Sequence, residues 1–139
     1  MKRLIEPRLV NFADCDPAQL VFYPRYFEWF DRNTEQLFRS AGLHWQEMYA
    51  TNPDWNGVPI LDAGANFKRP CRFGDTVEIE TWVEEWRGKT FLVRHHIRNR
   101  GELAVEGHEL RVWAIKDKTR PAGLRAEPVP PDIVARFQE

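Results

Sequence analysis

Hydrophobic and polar positions change period twice along the chain. From Pro24 onward Phe27, Phe30, Thr34, Leu37, Phe38 and Ala41 recur at spacings of three and four, which predicts one long helix with a single buried stripe. Pro24 suits the first helical position, where a missing amide hydrogen costs nothing, Tyr23 is then the N-cap, and Gly42 supplies the stop. A short second helix is predicted over Trp45 to Ala50. The period then drops to two. In Thr76 to Glu85 the residues Val77, Ile79, Thr81 and Val83 alternate with Glu78, Glu80, Trp82 and Glu84, a strand with one wet face.

Thr90 to Arg98 alternates likewise, and Leu103 to Lys116 is long enough for a strand with a bend or bulge near Gly107. Gly88 and Gly101 stand where tight hairpins are needed. Val58 to Phe67 is a further strand, and Arg8 to Phe12 is the opening one, with Pro7 confining its start to a sheet edge. Residues 117 to 139 read as an irregular, Pro-rich tail with room for a short C-terminal helix, so the packed fold is expected to end near residue 116. The order strand, helix, antiparallel meander is an α+β arrangement with the helix against one sheet face.

Composition narrows the function classes. With 139 residues, 42% of them hydrophobic, the chain can bury one core without disulfides, and one domain over 1–139 is expected. A formal charge of -1 provides no overall field for nucleic acid or an anionic membrane. Cys15 and Cys71 form no Cys-x-x-Cys pair, and reduced thiols fit a cytoplasmic protein. MKRLIEPRLVNF lacks a signal-length apolar stretch, so export and membrane spanning are not expected. His95 and His96 are neighbours on a strand and point to opposite faces, one packed and one solvated. With His44 and His108 also lacking ligand-spaced partners, no metal is implied. Ser40 is the only serine and no G-x-S-x-G elbow exists, which excludes a serine hydrolase.

The chemistry is concentrated in Phe12 to Asp31, where an acidic turn runs through an apolar stretch into the long helix. The runs D-C-D-P-A from Asp14, V-F-Y-P-R-Y from Val21 and W-F-D from Trp29 closely resemble the signature of the 4-hydroxybenzoyl-CoA thioesterase family. The likeness extends over most of the chain, including G-V-P-I at Gly57 to Ile60 and E-W-R-G-K-T-F at Glu85 to Phe91.

The resemblance implies a hot-dog fold, a long helix wrapped by an antiparallel sheet, with subunits paired as a homodimer or homotetramer and active sites at their interface. It implies hydrolysis of acyl-CoA with no cofactor beyond the coenzyme A of the substrate. By matching, Asp16 is the catalytic carboxylate, and the backbone amide of Tyr23 holds the thioester oxygen. An uncapped helix start suits that role physically, because its free donors face developing negative charge. Asp16 can serve as nucleophile or as general base on water. Asp14 is read as a turn residue.

The family motif commonly carries Gly where this chain has Gln19, whose side chain is expected either to narrow the acyl pocket or to reach the substrate. Lys89 and Thr90 match positions near bound coenzyme A, and Arg87 adds a positive charge beside them. Arg69, Arg72, Arg120 and Arg125 are weaker phosphate candidates. An aromatic acyl group is favoured, with short or medium alkyl groups next. An acyl carrier protein as thiol carrier and a non-catalytic acyl-CoA-binding module are the alternatives.

Overall fold

In the computed structural model, which describes residues 1–138, the chain runs β1 (Arg3–Leu9), a 3-10 turn (Phe12–Asp14), α1 (Pro24–Ser40), α2 (Trp45–Thr51), β2 (Ile60–Phe67), β3 (Thr76–Arg87), β4 (Thr90–Asn99), β5 (Glu102–Val112), β6 (Ala114–Lys116), β7 (Leu124–Ala126) and α3 (Pro131–Ala135). Five strands form an antiparallel sheet in the order β1-β3-β4-β5-β2. The helix α1 lies against one face of it, as expected. Its buried stripe is wider than the sequence spacing suggested: Tyr26, Trp29 and Asn33 join Phe30, Thr34, Leu37 and Phe38.

Gly107 sets how closely helix and sheet approach. A Cβ there would overlap the Phe30 ring, so the strand needs a residue without a side chain for close contact, not for a bulge. The irregularity of β5 lies instead at the step where Ile97 pairs with Val105 but Arg98 pairs with Leu103, leaving Ala104 unpaired. The Ala104 carbonyl turns outward to accept the amides of Lys68 and Arg69 at 2.8 and 3.1 Å.

Three expectations are corrected. The opening strand is Arg3–Leu9, not Arg8 to Phe12. Pro7 sits inside it because β1 is a sheet edge and needs ladder donors on one side only, while Asp14 accepts the Asn11 amide at 2.8 Å and curls the following residues into the turn. The expected strand over Leu103 to Lys116 splits at Trp113, and residues 114–116 pair with 124–126 in a second, two-stranded sheet. The segment after residue 116 is therefore no loose tail. It forms β7 and the short helix α3, and Val129, Ile133 and Phe137 pack with Leu37, Phe38, Phe91 and Trp113 in one core cluster.

Trp82, placed on the wet face by alternation, is nonetheless covered. The Arg3 guanidinium lies 4.1 Å above its ring, and His96 packs edge-on at 4.9 Å. The predicted hairpins fall at Gly88–Lys89 and Arg100–Gly101.

Candidate active site

Asp14 to Tyr23 forms a narrow antiparallel loop between the turn and α1. Cys15 faces Val21, the Asp16 amide donates to the Leu20 carbonyl at 2.9 Å, and the Phe22 amide donates to the Asp14 carbonyl at 2.9 Å. The loop is fastened to the chain ahead of β3, where the Val21 amide donates to the Cys71 carbonyl and the Phe73 amide to the Gln19 carbonyl. Its position is thus set largely by backbone bonds.

The two aspartates differ. Asp14 is buried, accepts the Asn11 amide and stands 4.0 Å from Arg8, so its carboxylate is consumed by the turn. Asp16 is only half-buried. Its Oδ1 accepts the Ala18 amide at 2.9 Å, which orients the carboxyl group, and its Oδ2 has no hydrogen-bond partner among the described residues. An open cavity of about 630 Å³ adjoins it, lined by Phe12, Ala13, Cys15, Pro17 and Gln19.

Gln19 has a φ of 63°, the left-handed region in which glycine is at ease and a side chain is not. The family's usual glycine here has a backbone reason, and this chain accepts strain to place an exposed amide beside Asp16.

At Tyr23 the helix begins without a side-chain cap. Pro24 has no amide hydrogen, and the Arg25 and Tyr26 amides donate to Phe22 and Tyr23 carbonyls. The Tyr23 N–H itself has no partner among the described residues. It is a donor at the positive end of a 17-residue helix. A cleft of about 280 Å³ opens here between Leu20, Tyr23, Tyr26, Phe67 and Arg69.

Other nucleophiles nearby are disabled. Burial pushes the Cys15 thiol up, with Asp14 and Asp16 adding to the rise; burial likewise pushes up Cys71 and the Tyr26 hydroxyl. All three therefore remain neutral near pH 7.

Arg87, Lys89 and Thr90 are not brought to this site within one chain. The Asp16 loop lies beside the start of β3, whereas these residues form the hairpin at its far end, on the order of 30 Å away along a 12-residue strand. Arg87 is paired with Glu85 at 2.9 Å, and Lys89 is exposed. His95 and His96 divide as read, the first buried and the second half-buried. Among the described residues no group of three His, Cys, Asp or Glu is placed to hold a metal, and no helix is long and apolar enough to cross a membrane.

A buried polar network under α1 went unread in the sequence. Glu109, 2% exposed, is bonded by Thr34, His95 and Arg111. Arg111 also reaches the Val58 carbonyl at 2.9 Å and Asp31 at 2.8 Å. His95 stacks on Phe30 with ring centroids 4.5 Å apart and meets Thr81 at 2.8 Å, while Asn33 donates to Thr81. Burial alone would raise Glu109, but the hydrogen bond from His95 and the charge and bonds of Arg111 hold it down at about 2. Burial lowers His95, so its neutral form fits these partners, with Nε2–H donating to Glu109 and Nδ1 accepting from Thr81.

Residues 10–137 match the model of the thioesterase-like superfamily. The chain belongs to that superfamily. This thioesterase-like chain is 33% identical over 130 residues to 4-hydroxybenzoyl-CoA thioesterase of Pseudomonas sp. strain CBS-3, covering 90% of each. It superimposes on an aspartate-to-asparagine variant of 4-hydroxybenzoyl-CoA thioesterase in complex with 4-hydroxybenzoyl-CoA, with a TM-score of 0.89 and 31% identity over 99% of this chain and 100% of that one. A gentisyl-coenzyme A thioesterase matches with a TM-score of 0.81 and 31% identity over 98% and 100%. The thioesterase-like chain thus has the hot-dog fold of the 4-hydroxybenzoyl-CoA thioesterase family.

Proposed function

We propose that the protein hydrolyses acyl-coenzyme A thioesters, aromatic acyl groups foremost, with Asp16 as the catalytic carboxylate and the Tyr23 amide as oxyanion donor. The observation that carries this reading is the pairing, on one short segment, of a carboxylate with one oxygen tied and the other, like the N–H at an uncapped helix start, without a partner among the described residues.

Polarised by the Tyr23 amide, the thioester carbonyl carbon accepts either water deprotonated by Asp16 or the Asp16 carboxylate itself. In the first course the tetrahedral intermediate expels the coenzyme A thiolate and leaves the free acid. In the second a mixed anhydride forms as the thiolate departs, and water then cleaves it. Neither course needs a cofactor. Kinship with thioesterases named for 4-hydroxybenzoyl and gentisyl groups supports an aryl acyl group over an alkyl one.

The assembly is a homodimer or a pair of dimers. Supporting it are the unpaired outer edge of β2, with Ile60, Leu61 and Phe67 exposed along it, and the open walls of the site. Arg87, Lys89 and Thr90 enter the reading only through a second copy. Two free thiols, Cys15 and Cys71, support a cytoplasmic setting.

Turnover measured over a panel of aryl and alkyl acyl-CoA thioesters tests the proposal, with Asp16→Asn and Asp14→Asn alongside the native protein. Aryl thioesters should be cleaved fastest, and Asp16→Asn should lower turnover roughly a hundredfold or more while the ligand still binds. Native protein and Asp16→Asn that bind acyl-CoA equally and cleave every thioester equally slowly would establish a binding module instead. Activity on acyl carrier protein thioesters alone would change the thiol carrier and keep the chemistry.

A further inference from the structure

On β1 the half-buried residues Leu4, Glu6 and Arg8 alternate with exposed ones, so two charges of this sheet edge face α1. Arg8 is left without an acceptor. Its Nε is buried and unpartnered, and its guanidinium makes no hydrogen bond among the described residues. Asp14 stands 4.0 Å away, too far for such a bond, and the group lies 4.9 Å above the Trp29 ring. Arg32, one turn of α1 beyond Trp29, is exposed and has no ion pair among the described residues. Burial and then the Arg32 charge lower the Arg8 pKa, against the pull of Asp14. Buried Asn33 directs its amide nitrogen to the Ile79 carbonyl and the Thr81 hydroxyl at 3.2 and 3.3 Å, and its carbonyl oxygen has no partner among the described residues.

These groups meet in a hollow of about 240 Å³ between β1 and α1. Trp29, Ile79 and Pro7 give it apolar walls, Arg8 and Arg32 positive charge, and Asn33 and Glu6 acceptors. Two guanidiniums against one carboxylate leave it net positive. An oxyanion would supply the acceptor that Arg8 lacks, and guanidinium groups bind carboxylates through two parallel N–H donors. An aromatic ring would cover the apolar walls, and a hydroxyl on that ring would meet the Asn33 oxygen or Glu6. The hollow shares no lining residue with the cavity at Asp16 or the cleft at Tyr23.

We propose that this hollow is a second ligand site, taking a hydroxylated aromatic carboxylate of the kind that hydrolysis of an aryl thioester releases. The choice of that free acid rests on the thioester reading of the Asp16–Tyr23 segment; the hollow itself does not. Occupancy reaches the Asp16 loop through Arg8. A carboxylate bonded to the guanidinium competes with Asp14, whose other oxygen accepts the Asn11 amide and holds the turn ahead of Asp16. The acid thereby acts on turnover from outside the Asp16 cavity, as a feedback ligand.

The test follows the Arg8 Nε–H resonance, assigned by its loss in Arg8→Lys, in the native protein and in Arg32→Gln. The probes, added in turn, are 4-hydroxybenzoate, benzoate, acetate and inorganic phosphate. The resonance should shift with the lowest dissociation constant for 4-hydroxybenzoate, about threefold higher for benzoate, which lacks the hydroxyl, and Arg32→Gln should weaken both about tenfold. The response should persist when a non-hydrolysable thioether analogue of benzoyl-CoA fills the Asp16 cavity. Inhibition of the native protein by 4-hydroxybenzoate should include a fall in kcat that Arg32→Gln removes. An unmoved Arg8 resonance, a response abolished by the analogue, or acetate and phosphate acting as well as the aryl acids overturns the assignment. Should the native protein cleave no thioester, the catalytic reading fails while the Arg8 titration still decides the hollow.

Discussion

Two polar regions flank α1, and they are built on opposite principles. Beneath the helix, Glu109, His95, Arg111, Thr34, Thr81 and Asn33 bind one another so completely that the charges are spent on holding the helix to the sheet. At its start, the Asp16 Oδ2 and the Tyr23 N–H have no partners among the described residues, and Gln19 sits in a strained conformation. Saturated polar groups stabilise a structure and do little else. Groups left open at the end of a rigid element are ready to meet a ligand, because neither has a bond to give up first.

The largest effect that can break this contrast is a loss of turnover. Asp16→Asn should cost a hundredfold or more in kcat with a melting temperature close to the native one, since the Ala18 amide keeps an oxygen acceptor. Next comes Glu109→Ala, which leaves Arg111 and His95 buried without their partner and should lower unfolding free energy by about 3–5 kcal/mol, read from the denaturant midpoint. Full stability together with lost activity in that variant would place the network in the chemistry and erase the distinction.

Acid should sharpen it. His95 is held below its ordinary 6.5, so the unfolded chain takes up a proton before the native one does, and stability falls as pH drops below that value, by at most about 2 kcal/mol at pH 5. Glu109, held at about 2, contributes stability above its ordinary 4.5 that is lost as pH falls from there toward 2. Melting curves of native protein and His95→Gln between pH 7 and 5 should converge as the pH falls; parallel curves would contradict a neutral buried imidazole.

The smallest effect is at Gln19. Gln19→Gly should stabilise the protein by up to about 1 kcal/mol through release of the left-handed strain, and a loss of stability would mean that the side chain makes a bond worth more than the strain.

Much of this arrangement was legible in the residues. The helix from Pro24 was readable because apolar residues at spacings of three and four leave few other structures. The roles proposed for Asp16 and Tyr23 rest on a motif whose flanks matched as well as its acids. Residues 117 to 139 were misjudged because four prolines among them signal irregular backbone, whereas Val129, Ile133 and Phe137 make their case only through distant partners such as Phe38 and Trp113.

The buried network carried a signal that was passed over. Period-two alternation places Val105, Gly107, Glu109 and Arg111 on one face of β5, and two charged residues on the inward face of a strand call for partners. Their identity, His95 on the neighbouring strand and Asp31 and Thr34 on the helix, depended on register and on tertiary contact.

Gly107 gives the molecule a fulcrum. The Phe30 ring rests on its bare backbone, and Tyr23 lies seven residues away along a rigid helix, roughly 10 Å of lever arm at 1.5 Å per residue. Any side chain at 107 would lift that resting point and tilt the helix end, turning the Tyr23 N–H from its present direction. Because a hydrogen bond weakens steeply with angle, the aim of the proposed oxyanion donor depends on the smallest residue of a strand across the sheet face from it.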